Sequence, residues 1–381
     1  MSSHLPEYRR WGSLRAKRVL VRVDFNTPVA LSNGQLEVTD DFRIRATLPL
    51  FEELLEQGAT VVACTHFGRP HGDFVEEYSI EPVRRRLAEL CPQVELMENL
   101  RFSPGEESND PEFGASLVRG FDYYINEAFS ASHREHASIM IPPTLLPSAA
   151  GPNLQREVQT LSSLLHNPER PFIAIVGGAK VKDKLGIVRV LADKADQVLV
   201  GGGMAYTFEV TQGRTIGSSL FDSTYLDICA QLMAEGKIVI PTDARGLPVG
   251  SPFGRGGDEE VLEWGANIPD GFQGLDIGPA SSAHFSEIIA GAATILWNGP
   301  MGVFEDPRLS AGTEAVARAV ASSGAVSIIG GGDSVSAIQG FGLEDQVSFV
   351  STGGGASLEF VEFGDLPGLR ALRQSPWSAA A

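Results

Sequence analysis

Lys180 and Lys184 follow Gly177-Gly178, which end the apolar β-branched run of residues 173–176. At a spacing of four, the two lysines are expected to project from the first turn of one helix, along one face. Two ammonium groups beside a helix N-terminus suit a bound polyphosphate. Three further stretches have the same form: residues 198–204 (VLVGGGM), 326–334 (VSIIGGGDS) and 349–356 (FVSTGGGA). In each, a strand pattern runs into glycines and a helical pattern follows. Such turns let backbone N–H groups approach a phosphate. One alone is explained equally well as a tight strand-to-helix turn. Four in one half of a chain are harder to explain that way. Asp333 follows three glycines and is expected to open a helix, either as its N-cap or as a ligand of Mg2+ bridging phosphates.

The first half carries a different set. Asp24-Phe25-Asn26 follows one strand pattern and His66-Phe67-Gly68-Arg69 the next, with Arg43, His133-Arg134 and Arg170 elsewhere. Asp and Asn side chains can bind hydroxyl groups, and the arginine fork matches phosphate and carboxylate oxygens. Arg43 and Arg69, near strand ends, are expected to touch a ligand. Arg84-Arg85-Arg86, on a predicted helix, read as solvated surface. His66 could act as a general base, but phosphoryl transfer to a carboxylate needs no proton abstraction, so binding is its expected role.

These residues need elements to position them. Strand patterns occupy residues 18–25, 59–65, 121–125, 171–176, 197–200, 238–240, 294–297, 326–329 and 347–350, and helical patterns 44–57, 82–90 and 184–192. Strands separated by helices imply parallel sheets covered on both faces, with ligands at the carboxyl ends of the strands. A chain of 381 residues is too long for one core and predicts two domains. Pro142, Pro143, Pro147, Gly151 and Pro152 interrupt the pattern. Beyond them, Leu154, Val158, Leu161, Leu164 and Leu165 mark a helix expected to separate the domains. The expected organisation is a domain over 1–152, an interdomain helix over 153–167, a second domain over 168–362, and a closing segment, 363–381, packing back toward the first domain.

The net charge of −18 makes nucleic acid and anionic membranes poor partners, and obliges an anionic ligand to find a local basic pocket. Only six of the 30 basic residues are lysines, and three of these are Lys180, Lys182 and Lys184. Cys64, Cys91 and Cys229 form no CxxC pair, so free thiols in a reducing cytoplasm are expected. No apolar run reaches the roughly 20 residues of a membrane span, and the first 18 residues lack the apolar core of a secretory signal. GxxxxGK[ST], the protein-kinase HRD and DFG motifs, HExxH and zinc-ligand spacings are all missing. A dinucleotide-dependent dehydrogenase would carry GxGxxG after its first strand, and this chain does not.

Over nearly its whole length the chain resembles phosphoglycerate kinases. The stretches that carry the resemblance are VLVRVDFNTPV (19–29), THFGRP (65–70), ENLRF (98–102), NEAFSASHREHAS (126–138), GGAKVKDKLGIV (177–188), VGGGMAYTF (200–208), LDIGPAS (275–281), LWNGPMGVFE (296–305), IIGGGDS (328–334) and STGGGASLE (351–359). The resemblance implies an α/β fold of two Rossmann-like domains, each a parallel sheet flanked by helices, with a cleft between them and a hinge. It implies reversible transfer of a phosphoryl group between ATP and the carboxylate of 3-phosphoglycerate, giving ADP and 1,3-bisphosphoglycerate, by a cytoplasmic monomer that uses Mg2+. Asp24, Asn26, Arg43, His66, Arg69, Arg134 and Arg170 would bind the acid, with Phe25, Phe67 and Gly68 among them. Arg43, Lys180, Lys184 and the backbone of Gly353 and Gly354 would act on the transferring phosphoryl group. Gly202, Gly203 and Gly274 would line the adenine pocket, and Asn298 and Glu305 would sit at the nucleotide. Gly331, Gly332, Asp333 and Ser334 would hold phosphates, with Asp333 on the metal.

The chain also departs from the family pattern. Thr65 and Phe67 stand where Ser and Leu are usual, and Glu127 and Ser130 where Asp and Gly are usual. The alternative reading is a catalytically silent nucleotide-binding relative. The retention of Arg43, Lys180, Lys184 and Asp333 argues against it.

Overall fold

The computed structural model describes residues 4–32 and 34–377, so both extreme termini of the expected organisation lie outside the described residues. The chain divides into two compact units, Met1–Ser162 with Phe363–Ala381, and Ser163–Glu362. The division falls within the helix Pro152–His166. Its apolar positions Leu154, Val158, Leu161, Leu164 and Leu165 are all buried.

The first unit is built on five parallel strands. They are β1 (Arg18–Arg22), β4 (Thr60–Cys64), β5 (Glu95–Leu96), β6 (Tyr123–Asn126) and β7 (Ser148–Ala150), in the order β5-β4-β1-β6-β7. Val19, Leu20 and Val21 of β1 are fully buried, as a strand covered on both faces requires. The helix Phe42–Glu56 lays Ile44, Leu50, Phe51 and Leu54 against this sheet, in a core shared with Val61, Val83 and Ile125. An antiparallel hairpin, β2 (Val29–Ser32) and β3 (Gln35–Val38), sits apart from the sheet. The C-terminal helix Pro367–Arg373 belongs to this unit, where Gly368 donates its N–H to the Ser132 carbonyl at 2.9 Å.

The second unit holds six parallel strands. They are β8 (Phe172–Val176), β9 (Gln197–Val200), β10 (Ile238–Val239), β14 (Thr294–Asn298), β15 (Val326–Gly330) and β16 (Phe349–Val350), in the order β10-β9-β8-β14-β15-β16. All five residues of β8 and of β14 are buried. A separate antiparallel sheet comprises β11 (Ala244–Pro248), β12 (Leu262–Trp264) and β13 (Phe272–Ile277). Neither antiparallel element is marked in the sequence. Their strands are short, and glycine and proline interrupt β11 at Gly246 and Pro248, so no period-2 pattern builds up.

In both sheets the strand order reverses beside the central strand. Chain order runs outward through β4 and β5 on one side of β1, and through β6 and β7 on the other. In the second unit it runs through β9 and β10 on one side of β8, and through β14, β15 and β16 on the other. Open α/β sheets bind ligands at the carboxyl ends of the strands flanking such a reversal. That rule points to the turns after β1, β4 and β6 in one unit, and after β8 and β14 in the other.

Candidate active site

In the second unit, the turns after β8, β9 and β14 interlock. Gly177 donates its N–H to the Asn298 carbonyl at 2.9 Å, Met204 to Gly178 at 3.0 Å, and Gly202 to Met301 at 3.0 Å. A Cβ on Gly177 would collide with the Pro300 carbonyl, and one on Gly299 with the Gly177 carbonyl, so no larger residue fits at either position. The next turn is set by Gly331, whose φ of 85° only glycine adopts freely, and from it the helix Gly332–Gly340 departs. Ser334 is buried in that helix and accepts the Gly299 N–H, which ties the β15 turn to the β14 turn.

The charged groups sit on this frame. Lys184 reaches Asn298, the buried last residue of β14, and donates to its Oδ1. Burial pushes the Lys184 pKa down, while Asp333 and then Asp183 pull it back up. Asp333 is thus electrostatically coupled to the lysine, and the helix it opens shows no side-chain capping bond. That removes the N-cap reading. The two lysines do not share a helical turn. Gly178, at φ 125°, swings the chain outward, and a 3-10 turn, Val181–Asp183, separates exposed Lys180 from half-buried Lys184 ahead of the helix Leu185–Lys194.

Beside Lys180 and Gly203 opens a cavity of about 210 Å3, also lined by Lys182, Thr207, Leu220 and Phe221. Leu220 and Phe221 are exposed apolar side chains at its mouth. Gly202 and Gly203 pack on the backbone of Gly178 and Ala179, which forms one wall. Gly274 lies on β13, where a Cβ would collide with the hydroxyl of buried Tyr206. Glu305 is exposed on the segment after β14. Gly353 donates its N–H to Ser351 Oγ at 3.1 Å, just ahead of the helix Gly355–Phe363.

In the first unit, Asp24, Asn26, Arg43, His66 and Gly68 come together at the ends of β1 and β4. Asp24 Oδ2 accepts from Arg43 Nη1 and from the Ser130 hydroxyl, and its Oδ1 from the Asn26 N–H at 3.1 Å. Burial alone would raise the Asp24 pKa, but the Arg43 guanidinium and these donors hold the carboxyl low. Asn26 Oδ1 accepts the Gly68 N–H at 3.0 Å, and Arg101 donates to the Gly68 carbonyl at 2.6 Å. Arg69 is exposed next to Gly68. Phe25 and Phe67 point into the core, so only their backbone is available to a ligand.

Two arginines that sequence reasoning missed complete this rim. Arg22 is fully buried at the end of β1, and Arg101 is 2% exposed. Burial, with the Arg134 charge next, depresses the Arg101 pKa to about 10. The signal for Arg22 was an arginine closing an otherwise Val/Leu strand, where burial on both faces leaves no outlet to water. Arg134 half-faces the same cluster and lowers the pKa of His66, His133 and His136. Arg170 precedes β8 in the second unit, at the amino end of that strand, and is taken up by Asp196 at 2.8 Å and the Lys194 carbonyl at 2.9 Å. Arg84, Arg85 and Arg86 bond to Glu81, the Leu36 carbonyl and Asp41, as local surface groups.

The family model described as phosphoglycerate kinase matches residues 11–97 and 91–363. A phosphoglycerate kinase of Rubrobacter xylanophilus is 47% identical over 384 residues, covering 94% of this chain and 96% of the relative. One from Picosynechococcus is 43% identical and covers 94% and 96%. Among solved structures, the phosphoglycerate kinase from Coxiella burnetii superposes with a TM-score of 0.85 at 38% identity, covering 95% and 97% of the two chains. The enzyme from Pyrococcus horikoshii gives 0.80 at 30% identity over 97% and 98%. Such matches span both sheets and both charged rims, and with them the chain belongs to the phosphoglycerate kinase family, a family of phosphotransferases.

Proposed function

We propose that the chain catalyses reversible phosphoryl transfer between ATP and the carboxylate of 3-phosphoglycerate, giving ADP and 1,3-bisphosphoglycerate. The observation that carries this reading is the pairing of two different rims. One unit offers a carboxylate and an amide for a hydroxyl, ringed by arginines for anions. The other offers glycine turns, a lysine and an exposed aspartate for a polyphosphate. The acid binds at Asp24, Asn26, Arg43, His66, Arg69 and Arg134, with Arg22 and Arg101 behind them. The nucleotide binds with its base in the cavity walled by Gly202 and Gly203 and bordered by Leu220 and Phe221. Its phosphates lie along Lys184, Asn298, Gly331 and Gly332, and its ribose near Glu305.

Transfer of this kind asks the protein for position and charge rather than covalent chemistry. Arg43 releases part of its fork from Asp24 and stabilises the phosphoryl oxygens. Lys184, aimed by Asn298, meets the same developing charge from the nucleotide side. The N-terminus of the helix Gly355–Phe363, with Gly353 and Gly354, adds backbone donors. Mg2+ fits at Asp333, an exposed carboxylate coupled to Lys184, because that ion commonly takes one or two carboxylates and completes its shell with phosphate oxygens and water. When bound it neutralises phosphate charge. Ligands held on separate units require hinge bending to react, and the helix Pro152–His166 is the hinge element. The chain works as a cytoplasmic monomer without nucleic-acid or membrane partners, a reading supported by its buried free thiols and its net charge of −18.

Hydrogen exchange tests this assignment. 3-Phosphoglycerate should protect the turns after β1, β4 and β6, and Mg-ADP those after β8, β14 and β15. Protection of the same turns by both ligands, or no response to 3-phosphoglycerate, would refute it.

A further inference from the structure

The first unit contains a buried carboxylate that the roles above leave unused. Glu106, in the short helix Pro104–Glu107, is 0% exposed. Its Oε2 accepts the Ser138 N–H at 2.9 Å, and its Oε1 accepts the Ser138 hydroxyl at 2.6 Å. Ser138 has then spent its only side-chain proton, so its oxygen is an acceptor, and it takes Arg22 Nε at 2.9 Å. Arg22 continues the chain, with Nη2 lying 3.2 Å from His66 Nδ1. Its remaining nitrogen, Nη1, donates to the Val23 carbonyl.

The direction of every link is fixed. A guanidinium has no lone pair to offer, so Arg22 can only donate to His66, and Nδ1 must be unprotonated. Burial, with Arg22, Arg101 and Arg134, also holds the ring neutral against the pull of Asp24. A neutral imidazole without a proton on Nδ1 carries it on Nε2. The one side-chain hydrogen bond of His66 among the described residues is at Nδ1, which leaves Nε2 for a ligand. His136 approaches Glu106 at 3.7 Å, but burial and the surrounding arginines depress its pKa to about 3, so it is no ionic competitor. Glu107 lies against Arg101. Glu106 is therefore the buried countercharge linked to Arg22.

We propose that Glu106, acting through Ser138 and Arg22, is a positioning residue that fixes His66 as a neutral Nε2–H donor to an anionic oxygen of the bound acid. The identity of that acid rests on the proposed function; the tautomer does not. The relay rules His66 out as a general base, since the free nitrogen already carries the proton. It also frees acid binding from the histidine titration that an unfixed imidazole would impose near neutral pH.

Two readouts on the full-length protein decide the matter. Nitrogen-15 spectra of the His66 ring, taken without ligand between pH 5.5 and 8, should show Nδ1 unprotonated, Nε2 protonated and no titration. Ser138→Ala cuts the relay while leaving both charges in place. It should mix the tautomers, bring the ring's titration into that pH range, and raise KM for 3-phosphoglycerate about tenfold at pH 7 with kcat changed less than twofold. Glu106→Gln keeps an acceptor for Ser138 but removes the charge, and should fall between the two. If that variant does not fold, Ser138→Ala still decides. A proton on Nδ1 in the unaltered protein overturns the proposal, as does a Ser138→Ala variant whose tautomer and KM match it. The spectra need no ligand, so a failure of 3-phosphoglycerate to bind would sink the proposed function while leaving the relay standing.

Discussion

Lys184 and Asp24 each hold a charge in a partly dry place, and each is aimed by a neighbour. Lys184 is held by Asn298, a buried amide at the end of a central strand. Lys184→Ala should lower kcat on the order of 10²-fold, the loss typical of a donor to developing transition-state charge, with the fold intact by circular dichroism. Asp24 is held by Arg43 and by Ser130, and Ser130 matters most when Arg43 turns toward the phosphoryl group. Ser130→Gly should cost about tenfold in kcat/KM, since a hydrogen bond to a charged group is lost. The cost should vanish with a substrate analogue lacking the 2-hydroxyl, because Asp24 then has nothing to orient. An equal loss for both substrates would assign Ser130 to structure alone. Lys180, Lys184 and His66 stood out in the sequence because lysine and histidine are scarce and each follows a strand pattern. Arg22 and Arg101 did not, because a buried arginine looks like any other until its partners across 44 or 33 residues are known.

The elements were legible wherever burial on both faces writes a continuous apolar run. The strands β1, β4, β8, β9, β14 and β15 were all expected within a few residues. The antiparallel sheet of β11, β12 and β13 was not, and Gly274 lies within it. Turns after the strands carry the site, and Gly331 tests that claim. A Cβ at its φ of 85° would also press on Asn298 Nδ2 at 2.8 Å. Gly331→Ala should cost about 1–3 kcal/mol of stability in urea denaturation and weaken ADP binding measured by calorimetry. The start of the helix Pro152–His166 makes a second test. Glu127 takes the Asn153 N–H there, at 3.1 Å to its Oε2, yet burial outweighs these bonds and raises its pKa from 4.5 to about 8. The folded state therefore prefers the protonated acid. That contribution is whole below about pH 4.5 and is lost as pH rises through about 8. Urea midpoints should fall between pH 5 and 8.5 in the natural chain and fall less in Glu127→Gln. Some slope should remain, since burial also raises Asp276 and Glu209 to about 7.

At the scale of the whole molecule, an acidic chain of net charge −18 concentrates positive charge at two strand-end rims, one on each unit. The two rims differ in chemistry, and under the proposed function that difference fits a transferase between two ligands rather than a binder of one. The central claim is transfer to the acid's carboxylate, and turnover tests it most directly. Formation of 1,3-bisphosphoglycerate, trapped by reduction with NADH, should require ATP, Mg2+ and 3-phosphoglycerate together, and should fall on the order of 10²-fold in Lys184→Ala. Binding of both ligands with no NADH consumed, or equal turnover in the variant, would contradict the account.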